Sequence, residues 1–400
     1  MSAGTPMIMN QIKPLRVMFL ATSLPVGGAE TLLVNLVRGM DRSRFAPEIV
    51  CLKEPGPLGE ELAAEMPVHS RLLRGKYDLR VLPRLWRLLR SRQADAVVTV
   101  GAGDKMFWGR VAARLAGTPV VASALHSTGW PDGVGRLNRL LTRWTDAFIA
   151  VADNHAQFLV DFEHFPAAKV HTIYNGVDTR RFAPHDAQDV RKSLGFTANT
   201  PVVGILAALR PEKNHELFLR GARQILAERP DVRFVVVGDG PRRAELESLA
   251  AELGVADAVR FVGSRSDVPD LLAAIDILAL TSHNEASPVS ILEALSCGRP
   301  VVASRVGSVA ETVVDGTTGL LFPAGDEAAY VAATLRLVED AELRRQFGAA
   351  GRELVESQWS LASMIAGYQD LIAGIYAVKS AAPRRQTTLF PWLRRRTAAT

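Results

Sequence analysis

The chain has 400 residues, of which 48% are hydrophobic and 22% charged. That excludes a largely disordered protein and, at ~150 residues per domain, points to two or three domains. The net charge of +5 is uneven: residues 1–180 hold 22 Lys/Arg against 16 Asp/Glu, residues 181–379 hold 20 against 26, and the last 21 residues add five arginines and no acid. Two cysteines, Cys51 and Cys297, exclude a disulfide framework or a self-contained four-ligand zinc site.

In chain order, the apolar run Val17–Ala21 reads as a buried first strand rather than a signal peptide, because it runs past Thr22 and Ser23 into Pro25 and two glycines. Further strands are expected at Glu48–Leu52, Ala96–Val100, Val120–Ser123 and Ala147–Val151. Helical patterns lie between them at Ala29–Arg38, Leu82–Arg90, Met106–Ala116 and Arg136–Trp144. The rhythm restarts after Pro201, with strands at Val202–Ala207, Arg233–Val237, Val259–Val262, Ile277–Leu280 and Pro300–Ala303. Its helices are Glu216–Ala227, Pro241–Leu253, Val268–Ala274 and Val289–Ser296. Strands alternating with helices give mostly parallel sheets covered on both faces. The expected organisation is an α/β chain of two doubly wound, Rossmann-like domains facing a central cleft. Residues 1–182 form the first, 183–200 a linker and 201–360 the second. A C-terminal helix over 361–379 and a basic tail over 380–400 follow.

The densest chemistry lies in His283-Asn284-Glu285-Ala286-Ser287-Pro288-Val289-Ser290-Ile291-Leu292-Glu293-Ala294. Ser287 suits an N-cap and Pro288 a first helical residue, so a helix begins just past a strand end with its free N–H groups facing the cleft. Such a terminus suits a phosphate. Glu285 lies before the helix and Glu293 about two turns inside it, placed to touch different parts of one ligand. Taken alone, Glu293 is equally well an ordinary helix acid, and Cys297 reads as a packed small residue. Gly238-Asp239-Gly240 does not open a dinucleotide fingerprint, because Arg243 stands where a third small residue is needed.

The assembled pattern resembles glycosyltransferase family 4, the retaining GT-B enzymes that use nucleotide-sugar donors. Glu285 and Glu293 match its pair of glutamates separated by seven residues, and Gly27-Gly28-Ala29-Glu30 its first-loop glycine pair. Tyr174-Asn175-Gly176-Val177-Asp178 with Phe182 matches the signature before its linker, and Leu209-Arg210-Pro211-Glu212-Lys213 its phosphate-binding segment. Val237-Gly238-Asp239-Gly240-Pro241 and Phe261-Val262-Gly263 occupy its later places. The resemblance implies a GT-B architecture in which the first domain binds the acceptor and the second a UDP- or GDP-sugar. It implies that Glu293 binds the donor ribose and Glu285 the transferred sugar, while amides around Ser287, Pro288, Val289 and Ser290 hold the diphosphate. Gly28, Lys213 and Gly263 join the donor site, and His126, just past a strand end, faces the reacting sugar. The family arginine five residues before the lysine is Ala208 here, and Arg210 is its candidate replacement. His69, His155 and His171 have no such support.

The chain contains no D-x-D, the carboxylate cradle of a metal-bound nucleotide diphosphate, so no metal and no cofactor is expected. Residues 71–92 carry eight Lys/Arg and one acid. Leu82, Leu85, Trp86 and Leu89 fall on one helical face and Arg80, Arg84 and Arg87 on the other. That is either a domain helix with a basic solvent face or a contact with anionic lipid headgroups serving a lipid-linked or glycan acceptor. Nucleic acid is disfavoured, since aromatic residues do not interleave with the charges. The expectation is a cytoplasmic hexosyltransferase, peripheral on the inner face of the membrane if the lipid contact holds. A nucleotide-sugar epimerase of the same architecture and a non-catalytic sugar-nucleotide-binding protein are the alternatives.

Overall fold

The computed structural model describes residues 13–75, 78–126 and 139–381. Its strands are β1 Leu15–Ala21, β2 Phe45–Cys51, β3 Val68–His69, β4 Ala96–Val100, β5 Val120–Ala124, β6 Ala147–Ala150 and β7 Val170–Thr172 in the first half. The second half holds β8 Val202–Leu206, β9 Arg233–Val237, β10 Val259–Gly263, β11 Ile277–Leu280, β12 Val301–Ser304 and β13 Gly319–Phe322. They form a seven-stranded sheet in the order β3-β2-β1-β4-β5-β6-β7 and a six-stranded one in the order β10-β9-β8-β11-β12-β13. The paired strands run parallel, as the alternating pattern requires. Each sheet reverses its winding once, between β1 and β4 and between β8 and β11. Beyond the carboxyl ends of such a strand pair is where doubly wound folds leave a crevice.

β1 shows why near-continuous apolar runs mark these strands. Val17 and Phe19 join one core with helices Gly28–Gly39 and Leu361–Ala381, while Met18 and Leu20 join a second core with helices Val81–Ser91 and Asp104–Ala116. All four side chains are fully buried. Each such burial contributes roughly 1.5–3 kcal/mol.

Helix Leu361–Ala381 crosses back from the second half to the first. Met364, Ile365, Tyr368 and Ile372 pack into the first core, and Lys379 Nζ donates to the Pro119 carbonyl at 2.7 Å and to Asp146 Oδ2 at 2.6 Å. By length and composition alone it could cross a membrane, and Met364, Ile365, Tyr368 and Ile372 are the side chains it buries in the core. The Tyr174–Asp178 signature marks this crossing. Val177 exchanges backbone hydrogen bonds with Trp359 and Leu361, both at 2.9 Å. Gly176 lies where a Cβ would come within 2.5 Å of the Ser360 carbonyl oxygen.

Several expectations need correcting. Over Arg136–Trp144 the described residues show two helical residues, 139 and 140, and then a 3-10 turn, Leu141–Trp144; residues 136–138 lie outside the description. Thr142 and Thr145 turn their hydroxyls onto the carbonyls of Arg139 and Leu141, which competes with a continuing helix. Residues 183–200 contain a short helix, Gln188–Ser193, whose Ala187 and Val190 pack on Ala273 and Ala274. Arg191 there donates to the Ala274 carbonyl at 2.9 Å. On the basic helix, Arg84 does not face solvent: it donates to Asp78 Oδ2 at 2.6 Å and to the Leu72 carbonyl at 2.8 Å. Arg71 and Arg92 are paired with Glu54 and Glu48. Lys76 and the tail beyond residue 381 lie outside the described residues.

Candidate active site

The candidate residues fall in the loops after strand ends, which is why two linear halves can build one site. The loop after β8 is shaped by the glycine turn after β9. Leu209 N–H donates to the Asp239 carbonyl at 3.0 Å and Ala207 N–H to that of Val237 at 3.0 Å. Gly238, at φ +136°, and Gly240 face this backbone so closely that Cβ atoms would lie 2.0 Å from the Ala207 oxygen and 2.6 Å from that of Leu209. The turn therefore needs glycine for packing, not for a dinucleotide. Gly263, at the end of β10, accepts the Gly238 N–H at 2.9 Å and thus braces the same turn.

Pro211–Lys213 forms one 3-10 turn, and the buried Asn214 follows at φ +50°, aiming Lys213 across to the loop after β11. Lys213 Nζ meets Glu285 Oε1 at 2.6 Å, and Ser282 Oγ donates to the same oxygen at 2.7 Å. Glu285 is 7% exposed and the Lys213 side chain 23%. These two donors replace the water that burial takes from the carboxylate. Ser282 was not anticipated, although its place at the end of β11, beside Glu285, is a signal.

The helix beyond spans Val289–Ser296, the range its pattern gives, but the cap expected at Ser287 falls one residue later. Pro288, with ψ 112°, is the N-cap and Val289 the first helical residue; the Ser287 side chain does not cap. The Ser287 carbonyl instead accepts from Asn175 Nδ2 at 3.3 Å, which holds the chain extended there. Proline brings no N–H and no side-chain acceptor, so the helix starts without a side-chain cap; the Ile291 N–H donates to the Pro288 carbonyl at 3.2 Å, and the amides of Val289 and Ser290 are the ones placed to meet an anion. Val289 also packs against the first core, and Gly28 faces it: a Cβ there would lie 3.8 Å from a Val289 methyl. The two halves thus touch at this helix start. Glu293, inside the helix, is half-buried. Burial pushes its carboxyl up to about 8, with Arg181 pulling weakly the other way.

Across the interface, the loops after β1, β4 and β5 enclose a cavity of about 570 Å³ lined by Thr22, Ser23, Glu30, Lys105 and His126, among others, and by Arg210 from the second half. Arg210 is exposed and reaches this cavity, whereas Lys213 turns the other way to Glu285. Burial pushes the His126 imidazole down to about 4, helped by His155 and Lys105, so it is neutral near pH 7. Its Nδ1 is buried without a partner, a polar atom a ligand in the cavity could satisfy. Of the histidines without support in the sequence, His69 bonds Glu48 at 2.9 Å, His155 Nδ1 accepts from Val151 N–H at 3.3 Å, and His171 is exposed on β7. Burial also pushes the Cys297 thiol up to about 12, which fits a packed residue. Among the described residues, no group of three His, Cys, Asp or Glu side chains converges as a metal site requires.

Residues 26–181 match the family described as Glycosyltransferase Family 4, and residues 186–354 that described as Glycosyl transferases group 1. Among curated relatives, the UDP-Gal:alpha-D-GlcNAc-diphosphoundecaprenol alpha-1,3-galactosyltransferase of Escherichia coli is 29% identical over 76% of this chain and 83% of its own. The GDP-mannose-dependent monoacylated alpha-(1-6)-phosphatidylinositol monomannoside mannosyltransferase of Corynebacterium glutamicum is 30% identical over 68% and 74%. The crystal structure of Anabaena Alr3699/HepE in complex with UDP and glucose superposes with a TM-score of 0.80 at 23% identity, covering 90% of this chain and all of that one. WaaG, a glycosyltransferase involved in lipopolysaccharide biosynthesis, gives 0.69 at 17% identity over 90% of this chain and all of its own. These likenesses show the GT-B fold expected from the motifs. The chain belongs to glycosyltransferase family 4 and is a glycosyltransferase.

Proposed function

We propose that the protein transfers a hexosyl group from a UDP- or GDP-sugar to an anionic, lipid-linked acceptor, with retention of anomeric configuration. The observation that carries this reading is the Lys213–Glu285 pair beside the start of helix Val289–Ser296, which has no side-chain cap. Here the two side chains pair with each other. A donor offers each a better partner, its diphosphate to Lys213 and the helix amides, and its sugar hydroxyls to Glu285. Glu293 holds the ribose.

Glu285 Oε1 is already held by Lys213 and Ser282, which suits a carboxylate that grips the sugar rather than one that attacks it. The transfer is then a front-face displacement. The acceptor oxygen bonds to C1 on the face the diphosphate leaves, and the departing phosphate oxygen takes the acceptor proton. His126, neutral, contacts the sugar by hydrogen bonding.

The acceptor lies in the 570 Å³ cavity of the first half, whose lining offers two cations, Arg210 and Lys105, to an anionic group and two acids, Glu30 and Glu163, to sugar hydroxyls. An anionic acceptor also fits the relatives, one named for a diphosphoundecaprenol and one for a phosphatidylinositol acceptor. With a lipid-linked acceptor, the exposed Trp86, Arg80 and Arg87 of the 81–91 helix and its entry support a contact with anionic headgroups on the cytoplasmic membrane face. The test is turnover of a nucleotide-sugar panel with and without lipid diphosphate acceptors, with the product anomer read by NMR. Turnover that needs acceptor and gives a retained anomer supports the proposal. Donor conversion without acceptor indicates epimerisation, and an inverted anomer refutes the mechanism.

A further inference from the structure

Helix Asp153–Asp161, in the first half, starts after Ala152, which offers no capping acceptor. Its first two amides are instead satisfied from the second half. Asp153 N–H donates to Glu311 Oε2 at 2.8 Å, Asn154 N–H to Glu311 Oε1 at 2.7 Å, and Asn154 Nδ2 to the Gly307 carbonyl at 3.3 Å. A carboxylate with both oxygens on a helix start matches its unpaired donors and the positive end of its dipole. The Tyr174 hydroxyl donates to Asp153 Oδ2 at 2.6 Å and so holds this nearest acid in a fixed place.

The stretch that carries Glu311 is also strapped to the loop of Glu285. Ser308 N–H donates to the Glu285 carbonyl at 3.3 Å. Gly307, at φ +49°, lies where a Cβ would come within 1.8 Å of that same oxygen, so any other residue would push the two loops apart. One short turn therefore touches a helix of the first half at Glu311 and the backbone of the Lys213-bound glutamate at Gly307.

We propose that Glu311 is a positioning residue that latches the two halves together and, through the 307–308 turn, fixes Glu285 when the cleft is closed. When the halves part, water replaces Glu311 on the helix start. When they close, Glu311 supplies the cap that Ala152 cannot, and the turn is pinned against Glu285. The link to catalysis rests on the proposed role of Glu285, whereas the latch itself does not.

The test measures the distance between spin labels at Ser91→Cys and Ser248→Cys, one in each half, in the full chain without substrate. Both positions are exposed, and Cys51 and Cys297 are buried away from label. The expected result is a closed-distance population in the otherwise unchanged protein. Glu311→Ala should lower its ratio to the open form by roughly tenfold, equal to about 1.4 kcal/mol. Glu311→Gln, which keeps one acceptor oxygen, should fall between, and Asn154→Ala should weaken the latch in the same direction. Thermal melts check that each variant folds. In turnover, Glu311→Ala should lower kcat more than it raises the donor KM. An otherwise unchanged protein without the closed distance, or a folded Glu311→Ala with an unaltered distribution, overturns the latch. Distances that respond to Glu311 in a protein that turns over no nucleotide sugar leave the latch standing and refute the proposed function.

Discussion

The raised carboxyl of Glu293 makes donor binding depend on pH in a way that can be worked out. Burial pushes this group from an ordinary 4.5 up to about 8. If the ribose hydroxyls bind the carboxylate, each donor molecule bound below pH 8 must first displace a proton. One pH unit below that value, about nine in ten folded molecules carry the proton, and removing it costs about 1.4 kcal/mol, or tenfold in affinity. Donor affinity should therefore rise roughly 100-fold between pH 6 and pH 9 and then level off. A nucleotide sugar suits the measurement because its diphosphate diester does not titrate in this range. Calorimetry in buffers of different ionisation enthalpy should find about one proton released at pH 6 and about half of one at pH 8.

Glu293→Gln should bind more weakly at high pH and lose the slope. Stability moves the other way. Because the folded-state value lies above the unfolded one, the folded chain holds the extra proton between pH 4.5 and about 8, so Glu293 costs stability progressively as pH rises through that window. The melting temperature of Glu293→Gln should accordingly exceed that of the unchanged protein by more at pH 8.5 than at pH 5. Donor affinity that is flat with pH, or a slope that persists in Glu293→Gln, refutes the assignment.

Lys213→Ala leaves the enclosed Glu285 with Ser282 alone on its Oε1, and donor affinity measured by calorimetry should fall roughly 10- to 100-fold. Arg210 lines the acceptor cavity, so Arg210→Ala should raise the acceptor KM more than tenfold while Ala208→Arg does not improve turnover; a change confined to the donor KM would put Arg210 on the diphosphate instead. For the full chain, binding to anionic vesicles should weaken on changing Arg80 and Arg87 to Gln and as salt is raised, each exposed arginine contributing ~1 kcal/mol near the surface. Equal sedimentation of both proteins would make the 81–91 helix a plain domain element.

What the sequence shows and what it hides divides along physical lines. Ala96–Val100, Arg233–Val237 and Ile277–Leu280 are legible to the residue because each is a short apolar run buried on both faces and bounded by polar residues. β3, with two residues, and β7, with three, lie at the edges of their sheet and are too short to leave a pattern. Helix Gln188–Ser193 is polar throughout, apart from Val190, and what holds it is Ala273 and Ala274, some eighty residues away. The charge of 71–92 is countable, and its one acid, Asp78, pairs with Arg84 inside it, yet Glu54 and Glu48, the partners of Arg71 and Arg92, lie on other segments, so counting overstated the free positive face. Likewise Pro288 suits the first helical position, yet it stands as the N-cap, next to a contact no local pattern shows, Asn175 Nδ2 on the Ser287 carbonyl from 112 residues earlier.

The site itself illustrates the same limit. Lys213 and Glu285 are each recognisable from their motifs, but 72 residues separate them and nothing local says that they touch. Sheet order does. β8 and β11 are neighbours because the winding reverses between them, with Ile277 beside Val203 and Ala279 beside Ile205. Two parallel neighbours end at the same height, so the loops that leave them must meet. The first half repeats the logic with β1 and β4, whose loops bring Thr22, Ser23 and Lys105 to one cavity. Reading strand ends from the sequence thus finds the members of the site. Their pairing follows only once the order of strands in each sheet is known, and it is that order, set by packing of both faces, that turns two recognisable motifs into the Lys213–Glu285 pair.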